Sequence, residues 1–201
     1  MESELFQPAI QKINVYTEQG GGTEEKKMKR NIILIGYMGS GKTSVGKHLA
    51  ELLTYRFKDT DRMIEQKAGD TINHIFAVYG EEHFRNMETG LLKDLVNTLE
   101  NTVLSTGGGM PLREQNASLL KELGYVVFLK TSKQIILDRL EGDTTRPLLK
   151  GEDLDSKVER MLKLRTPVYE NAAHRTITTD EKSITETAQL IMENYMRQIS
   201  R

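Results

Sequence analysis

Short segments rich in apolar residues alternate along the chain with longer segments in which apolar residues recur every three or four positions. The run Val126-Val127-Phe128-Leu129 has no alternation of polar with apolar residues, which is typical of a strand covered on both faces of a sheet. The short segments predict strands at residues 31–35, 55–58, 102–105, 125–130 and 175–178. The longer segments predict helices at residues 43–53, 61–67, 72–79, 81–99, 113–123, 133–140, 155–166 and 183–199.

This order of strands and helices predicts an α/β fold with a mainly parallel sheet, because parallel neighbours are joined by crossover helices. In such folds ligands bind beyond the carboxyl ends of the strands. We therefore expect the chemically important side chains to follow the strands directly. A single domain over residues 30–201 suits the length of the chain.

The first 29 residues differ in composition from the rest. Residues 19–27 place three glycines ahead of a charged run and contain no apolar side chain to bury. We expect a flexible leader over residues 1–29, and Met28 would make a sensible alternative start. A docking arm is the alternative interpretation of these residues.

Composition excludes several classes of protein. A net charge of −1 argues against a broad nucleic-acid surface, and the absence of cysteine excludes disulfides and thiolate metal sites. The longest apolar runs are far shorter than a membrane span, and residues 1–30 lack the apolar core of a secretory signal. We expect a cytoplasmic protein with no membrane or nucleic-acid partner.

The first predicted strand runs into a phosphate-binding loop. Gly36 and Gly41-Lys42-Thr43 fit the GxxxxGK[ST] template, in which backbone N–H groups turn inward toward an anion. The following helix points its N-terminal dipole at the same anion. Lys42 would reach the β- and γ-phosphates, and the Thr43 hydroxyl would bind Mg²⁺. The loop therefore predicts binding of a nucleoside triphosphate.

The second predicted strand ends beside this loop with two carboxylates. Asp59 could hold a Mg²⁺-bound water, and Asp61 could accept the proton of an attacking hydroxyl. The alternative for Asp61 is an N-cap of the next helix, a common position for aspartate. The place of the pair beside a phosphate loop favours a functional role.

Further candidates have an ordinary structural alternative when each is considered alone. Arg85 and Glu88 could form an exposed helix pair, and His83 is best explained as a helix-surface histidine. Gly107-Gly108-Gly109 admits close backbone approach to a ligand, whereas a plain turn needs fewer glycines. Residues 141–149 have the composition of a mobile lid that would bring Arg146 onto the transferred phosphoryl group.

Arg165 has two interpretations of the same kind. It lies near a predicted helix end at Pro167, where it could satisfy the helix dipole. It could also bind a ligand carboxylate through two parallel hydrogen bonds.

Taken in order, these motifs resemble those of the shikimate kinase family from about residue 30 to residue 195. The motifs are GYMGSGKT at 36–43, the Phe-x-Asp-Thr-Asp of 57–61, Phe84-Arg85-x-x-Glu88, the Ser-Thr-Gly-Gly-Gly of 105–109, the Thr-Arg-Pro-Leu-Leu of 145–149 and Arg165-x-Pro-x-Tyr169. The ordered set is specific, although a phosphate loop alone is not. One departure lies at residues 179–183, where the family often closes over adenine with basic residues and this chain has only Lys182.

The resemblance implies transfer of the ATP γ-phosphoryl group to the 3-hydroxyl of shikimate, in the pathway to chorismate and the aromatic amino acids. It also implies a P-loop three-layer fold with a five-stranded parallel sheet and a mobile lid at about residues 141–152. Asp61 would hold the ring hydroxyls, while Arg85 and Arg165 would hold the carboxylate. The implied shikimate site is completed by the glycines Gly107, Gly108 and Gly109. The implied ATP and Mg²⁺ site consists of Gly39, Ser40, Gly41, Lys42, Thr43, Ser44, Asp59, Arg139 and Arg146.

Two rival functions remain at this point. One is another small-molecule kinase, of gluconate or nucleotide type, and the other is a silent ATP-binding regulator. A regulator is expected to lose Lys42, Asp61 or Arg146, and all three are present. Arginines paired with two aspartates suit a compact carboxylated polyol better than a nucleotide. The chain is short enough to act as a monomer.

The phosphate loop gives the first testable prediction. Lys42→Met should lower kcat by several powers of ten, because positioning and charge neutralisation provide most of the catalysis of phosphoryl transfer. Steady-state kinetics at saturating ATP measure this loss. A kcat close to that of the unaltered protein would contradict the assignment of a nucleotide site.

Overall fold

The computed structural model describes residues 29–140 and 154–200. Its strands are β1 (Asn31–Ile35), β2 (Arg56–Asp59), β3 (Thr102–Ser105), β4 (Tyr125–Lys130) and β5 (Arg175–Thr178). Its α-helices are α1 (Lys42–Leu53), α2 (Thr60–Ala68), α3 (Ile72–Val96), α4 (Glu114–Leu123), α5 (Lys133–Leu140), α6 (Leu154–Ala172) and α7 (Ile184–Ile199). A short 3-10 turn covers Met110–Leu112.

The strands form one parallel sheet in the order β2-β3-β1-β4-β5, which confirms the predicted α/β fold. β1 lies in the middle, where Ile33 pairs with Leu104 of β3 and with Val126 of β4. β2 pairs with β3 so that Asp59 stands opposite Ser105. The carboxyl ends of β1, β2 and β3 therefore lie side by side at one edge of the sheet.

Helices cover both faces of the sheet and create two separate cores. Successive side chains of a strand point to opposite faces, so β1 contributes Ile33 and Ile35 to one core and Ile32 and Leu34 to the other. All four side chains are fully buried. The first core includes residues of α3, α4 and α6, and the second includes residues of α1 and α7. The result is a three-layer arrangement of helices, sheet and helices.

The predicted break between the helical segments 72–79 and 81–99 is confirmed, because Gly80 within α3 has a non-helical backbone with φ 80° and ψ 172°. The second segment ends at Val96 rather than at residue 99, and the predicted end of α6 was wrong. The helix α6 runs through Pro167 to Ala172, whereas we predicted an end at residue 166. Proline removes one helical hydrogen bond, but Tyr169 and Ala172 beyond it are buried in the core, and that burial offsets the loss.

Some predictions lie outside the described residues. They are the leader, apart from Lys29, and the lid at 141–152 together with Arg146. Among the helices that the structure describes, none combines the length and the apolar character that a membrane crossing requires.

A buried asparagine, Asn31, fixes the amino end of the sheet. It is the first residue of β1, and the phosphate loop follows the last residue of the same strand. The Asn31 side chain donates hydrogen bonds to the carbonyls of Leu99 and Leu123 at 2.9 and 2.8 Å, and accepts one from the Thr102 N–H at 3.1 Å. Asn31 is fully buried. Its side chain thus connects the start of β1 with the start of β3 and the end of α4.

Replacing this side chain should destabilise the fold without changing the chemistry. In Asn31→Ala, three buried backbone groups lose their partner, and we expect the free energy of unfolding to fall by roughly 2–4 kcal/mol. Urea denaturation measures the change, and Asn97→Ala at the exposed end of α3 is the control. A loss below about 0.5 kcal/mol would show that the network contributes little.

Candidate active site

Two neighbouring cavities open at the carboxyl ends of β1, β2 and β3. The larger has a volume of about 460 Å³ and the smaller about 250 Å³. Met38, Asp61 and Gly108 line both of them. The phosphate loop lines the smaller cavity, while Arg85 and Arg165 line the larger one. The structure therefore joins an anion-binding loop to a pocket with two arginines.

The backbone of the phosphate loop depends on glycine. Gly39 and Gly41 have φ of 77° and 87°, in the left-handed region that other residues rarely adopt. A Cβ on Gly36 would stand 2.8 Å from the Leu129 carbonyl oxygen of β4. Gly41 precedes the first residue of α1 and no side chain caps that helix. The N-terminal N–H groups of α1 are thus directed at the smaller cavity, a geometry that binds phosphate.

Lys42 is the first residue of α1, and its ammonium group lies within the loop. It donates hydrogen bonds of 2.9 Å to the carbonyls of both Gly36 and Tyr37. Ser40 is buried, with no hydrogen-bond partner for its hydroxyl among the described residues, while Ser44 is exposed at the cavity rim. A lysine held in this way is already positioned beside an anion bound to the loop.

The two aspartates at the end of β2 have different positions. The Asp59 carboxylate accepts a hydrogen bond from the Asp61 N–H at 3.1 Å, so Asp59 caps α2 and the alternative that Asp61 is the cap was wrong. The other Asp59 oxygen lies 3.3 Å from the Thr43 hydroxyl. The N-cap of α2 is therefore Asp59, and Asp61 lines both cavities.

The three glycines after β3 bring their backbone against these groups. A Cβ on Gly107 would stand 2.5 Å from Asp61 Oδ1, and a Cβ on Gly109 would overlap the Arg85 guanidinium. Gly108 approaches the phosphate loop, where its Cβ position is 3.4 Å from the Gly36 carbonyl oxygen. Each glycine thus leaves room for a different side chain or loop.

Arg85 and Glu88 form a buried pair, so the alternative of an exposed helix pair was wrong. The Arg85 guanidinium donates to Glu88 Oε2 at 2.9 Å and to Glu81 Oε1 at 2.8 Å. Glu88 is fully buried, whereas Glu81 is exposed. Burial raises the pKa of Glu88 to about 7, because desolvation of its carboxylate outweighs the attraction of Arg85.

Helix α6 contacts both the phosphate loop and the loop after β3. The Arg165 guanidinium carbon lies 5.7 Å from the ring centroid of Tyr37, within the range of a cation–π interaction. The Tyr169 hydroxyl donates a 2.6 Å hydrogen bond to the Gly108 carbonyl, and burial raises the pKa of Tyr169 to about 12. We gave Tyr169 no role from the sequence. Its spacing of four residues from Arg165 was the available signal, because both then lie on one helix face.

A third cavity of about 210 Å³ adjoins the phosphate loop on the side of α5. Arg139 lines it and donates a 2.8 Å hydrogen bond to the Gly39 carbonyl. Thr179 and Lys182, in the segment left unassigned from the sequence, line the same cavity. Among the described residues no group of three or more acidic or histidine side chains forms a metal cluster, and the exposed His83 packs on Tyr79.

Comparison with known proteins identifies the family. The sequence profile of shikimate kinase matches residues 38–196. The chain belongs to the shikimate kinase family. A shikimate kinase of Thioalkalivibrio sulfidiphilus is 44% identical over 82% of this chain and 86% of its own length. One of Caldicellulosiruptor bescii is 47% identical over 71% of this chain and 82% of its own length.

Solved structures agree with this family. The Acinetobacter baumannii shikimate kinase in complex with shikimate has a TM-score of 0.80 at 42% identity, covering 86% of this chain and 96% of its own. A gluconokinase of Sinorhizobium meliloti has a TM-score of 0.52 at 17% identity, covering 87% and 95%. That likeness shows the shared fold alone. The family is an ATP-using kinase family, and the gluconate- or nucleotide-type alternative is not favoured.

Proposed function

We propose that this chain transfers the γ-phosphoryl group of ATP to the 3-hydroxyl of shikimate, giving shikimate 3-phosphate and ADP. One observation carries the proposal. A compact pocket holds two arginines, Arg85 and Arg165, and meets the phosphate loop at Asp61. A small carboxylated polyol needs cations at one end and hydrogen-bond acceptors at the other. The pathway to chorismate and the aromatic amino acids follows from the family.

The nucleotide end of the site would bind ATP through the loop. The N–H groups of residues 39–44 and the Lys42 ammonium would surround the β- and γ-phosphates. Arg139, whose guanidinium lies 2.8 Å from the Gly39 carbonyl, would border the adenosine side, with Thr179 and Lys182 across the same cavity. Ser44 lines both this cavity and the phosphate cavity, whereas Ser40 lines only the cavity on the adenosine side. Arg146 is assigned to the transferred phosphoryl group by its motif alone.

Thr43 and Asp59 would hold Mg²⁺. Their oxygens are 3.3 Å apart, and hydroxyl and carboxylate oxygens are ligands that Mg²⁺ accepts together with waters and phosphate oxygens. When bound, the ion would neutralise charge that develops on the phosphate oxygens. Two protein oxygens are sufficient for such a site, since Mg²⁺ usually keeps several waters.

Asp61 would orient the attacking hydroxyl and accept its proton. The hydroxyl oxygen attacks the γ-phosphorus, the bond from that phosphorus to the bridging oxygen breaks, and ADP leaves. The proton passes to Asp61, which lines both cavities and is not used as the cap of α2. Gly107, Gly108 and Gly109 would form the floor beneath the ring. All these groups come from one chain, so we expect a monomer to be active.

A substrate comparison tests the proposal directly. ADP release should be rapid with shikimate and close to background with AMP or CMP, which carry no carboxylate for Arg85 and Arg165. We expect the same low rate with gluconate, whose carboxylate belongs to a flexible open chain rather than to a compact ring. A coupled ADP-release assay with equal concentrations of each acceptor measures this. Faster turnover with one of the other acceptors would overturn the assignment, and no turnover with any of them would favour the silent regulator.

Glycine substitutions test whether Arg85 holds the substrate. Gly109 has φ −88° and ψ −13°, which alanine adopts without strain, and the three atoms nearest to its Cβ position all belong to the Arg85 guanidinium, so the main effect of Gly109→Ala is to displace that group. Loss of the charge-assisted hydrogen bond between Arg85 and the shikimate carboxylate should raise the KM for shikimate about tenfold or more, while the KM for ATP changes little.

Gly90→Ala is the matched control for this variant. Gly90 lies in the same helix as Arg85, and a Cβ there would meet no atom within 4 Å. We expect an unchanged KM and a protein more stable by about 0.5–1 kcal/mol, because alanine favours the helix. Equal KM values for the two variants would contradict the proposed contact of Arg85 with shikimate.

A further inference from the structure

Glu88 is a buried acid that the proposed reaction does not use. It extends from α3 to the wall of the larger cavity and is fully buried. Its Oε2 accepts the 2.9 Å hydrogen bond of Arg85, while its Oε1 has no hydrogen-bond partner among the described residues. That free oxygen lies 3.2 Å from the Cβ position of Gly107, on the same side as Asp61. A buried carboxylate with one unsatisfied oxygen is costly.

Burial and the surrounding charges bring the pKa of Glu88 close to neutral pH. Burial raises its pKa to about 7, and the charge of Asp61 acts in the same direction, while Arg85 and Arg113 oppose it. Charged groups reach this part of the site from every helix around it: Asp61 and Glu65 of α2, Glu81 and Arg85 of α3, Arg113 before α4 and Arg165 of α6.

A carboxylate ligand would change this balance. The Arg85 guanidinium already faces two carboxylates, Glu81 and Glu88. The inference rests on the proposed function, in which the shikimate carboxylate also binds Arg85. That third carboxylate would share the charge of the guanidinium and repel Glu88, which cannot move into solvent. Because Glu88 is fully buried, uptake of a proton by its carboxylate relieves the repulsion without moving the side chain.

We propose that Glu88 takes up a proton when the shikimate carboxylate binds to Arg85. In the protein without ligand, Glu88 holds the guanidinium against Gly109. In the complex, neutral Glu88 keeps its place beside Arg85, and the ligand becomes the counter-ion of the arginine. The proton comes from solvent, so binding weakens as the pH rises through the range in which Glu88 loses it.

Calorimetry tests the proposal on the whole chain without nucleotide. The enthalpy of shikimate binding at pH 7.5 is measured in HEPES and in Tris, whose ionisation enthalpies differ, and the difference gives the protons taken up. If the ligand raises the pKa of Glu88 by about one unit, uptake should be about half a proton per shikimate. The analogue with a neutral amide in place of the carboxylate should bind with almost no uptake.

Two variants locate the proton. Glu88→Gln should still bind shikimate but with uptake near zero. Glu81→Gln removes the exposed partner of the same arginine and should keep the uptake of the original protein. Uptake that persists in Glu88→Gln, or equal uptake with the amide analogue, would overturn the proposal.

Glu88→Gln is expected to fold. Between pH 4.5 and about 7 the unfolded chain releases the Glu88 proton while the native state keeps it. Native stability therefore falls as the pH rises through this window, and glutamine removes that loss. Should the variant still fail to fold, the original protein gives an independent readout. Its Kd for shikimate should rise about fivefold from pH 6.5 to pH 8.5, and a constant Kd would refute proton coupling.

Failure of this inference is distinguishable from failure of the proposed function. If shikimate is phosphorylated rapidly but binds without proton uptake, only the role of Glu88 is wrong. If shikimate neither binds nor reacts at pH 6.5, where Glu88 is mostly protonated, the substrate assignment itself is wrong.

Discussion

The site depends on the close packing of the loop after β3 against Asp61, Arg85 and the phosphate loop. Asp61, Arg85 and the phosphate loop each occupy space next to one of the three glycines, where a Cβ would stand. This packing fixes the distance between the acid, the arginine and the anion-binding backbone. Because the loop is short and follows a buried strand, it has little freedom to adjust. A methyl group at Gly107 or Gly109 would displace a side chain of the site.

The same packing explains why charged groups can be buried here. Removing charges from water is expensive unless they are paired and hydrogen-bonded. Arg85 is held by Glu81 and Glu88, and Asp59 satisfies an N–H of α2. These pairs orient the side chains that would contact a ligand. Burial of the apolar side chains in the two cores on either side of the sheet offsets the free-energy cost of desolvating the charges.

Helix α6 connects the two halves of the site. The Tyr169 hydroxyl holds the Gly108 carbonyl at 2.6 Å, and Arg165 lies over the Tyr37 ring. The Tyr37 hydroxyl in turn donates to the Met161 sulfur at 3.2 Å. One helix therefore contacts the loop after β3 and the phosphate loop together, so their relative position is set by a rigid element. That arrangement suits phosphoryl transfer, which depends on alignment of donor and acceptor.

The sequence by itself determined the order of strands and helices, the parallel α/β fold and the phosphate loop. These features rest on short-range rules: apolar runs, helical periodicity and glycines at positions that need positive φ. The ordered motifs also determined which residues were candidates, including Asp61, Arg85 and Arg165. Only the tertiary structure decided that Asp59 caps α2, that α6 continues through Pro167 and that Glu88 is buried. Each of these depends on groups distant in sequence, because burial and hydrogen-bond partners are set by packing between elements.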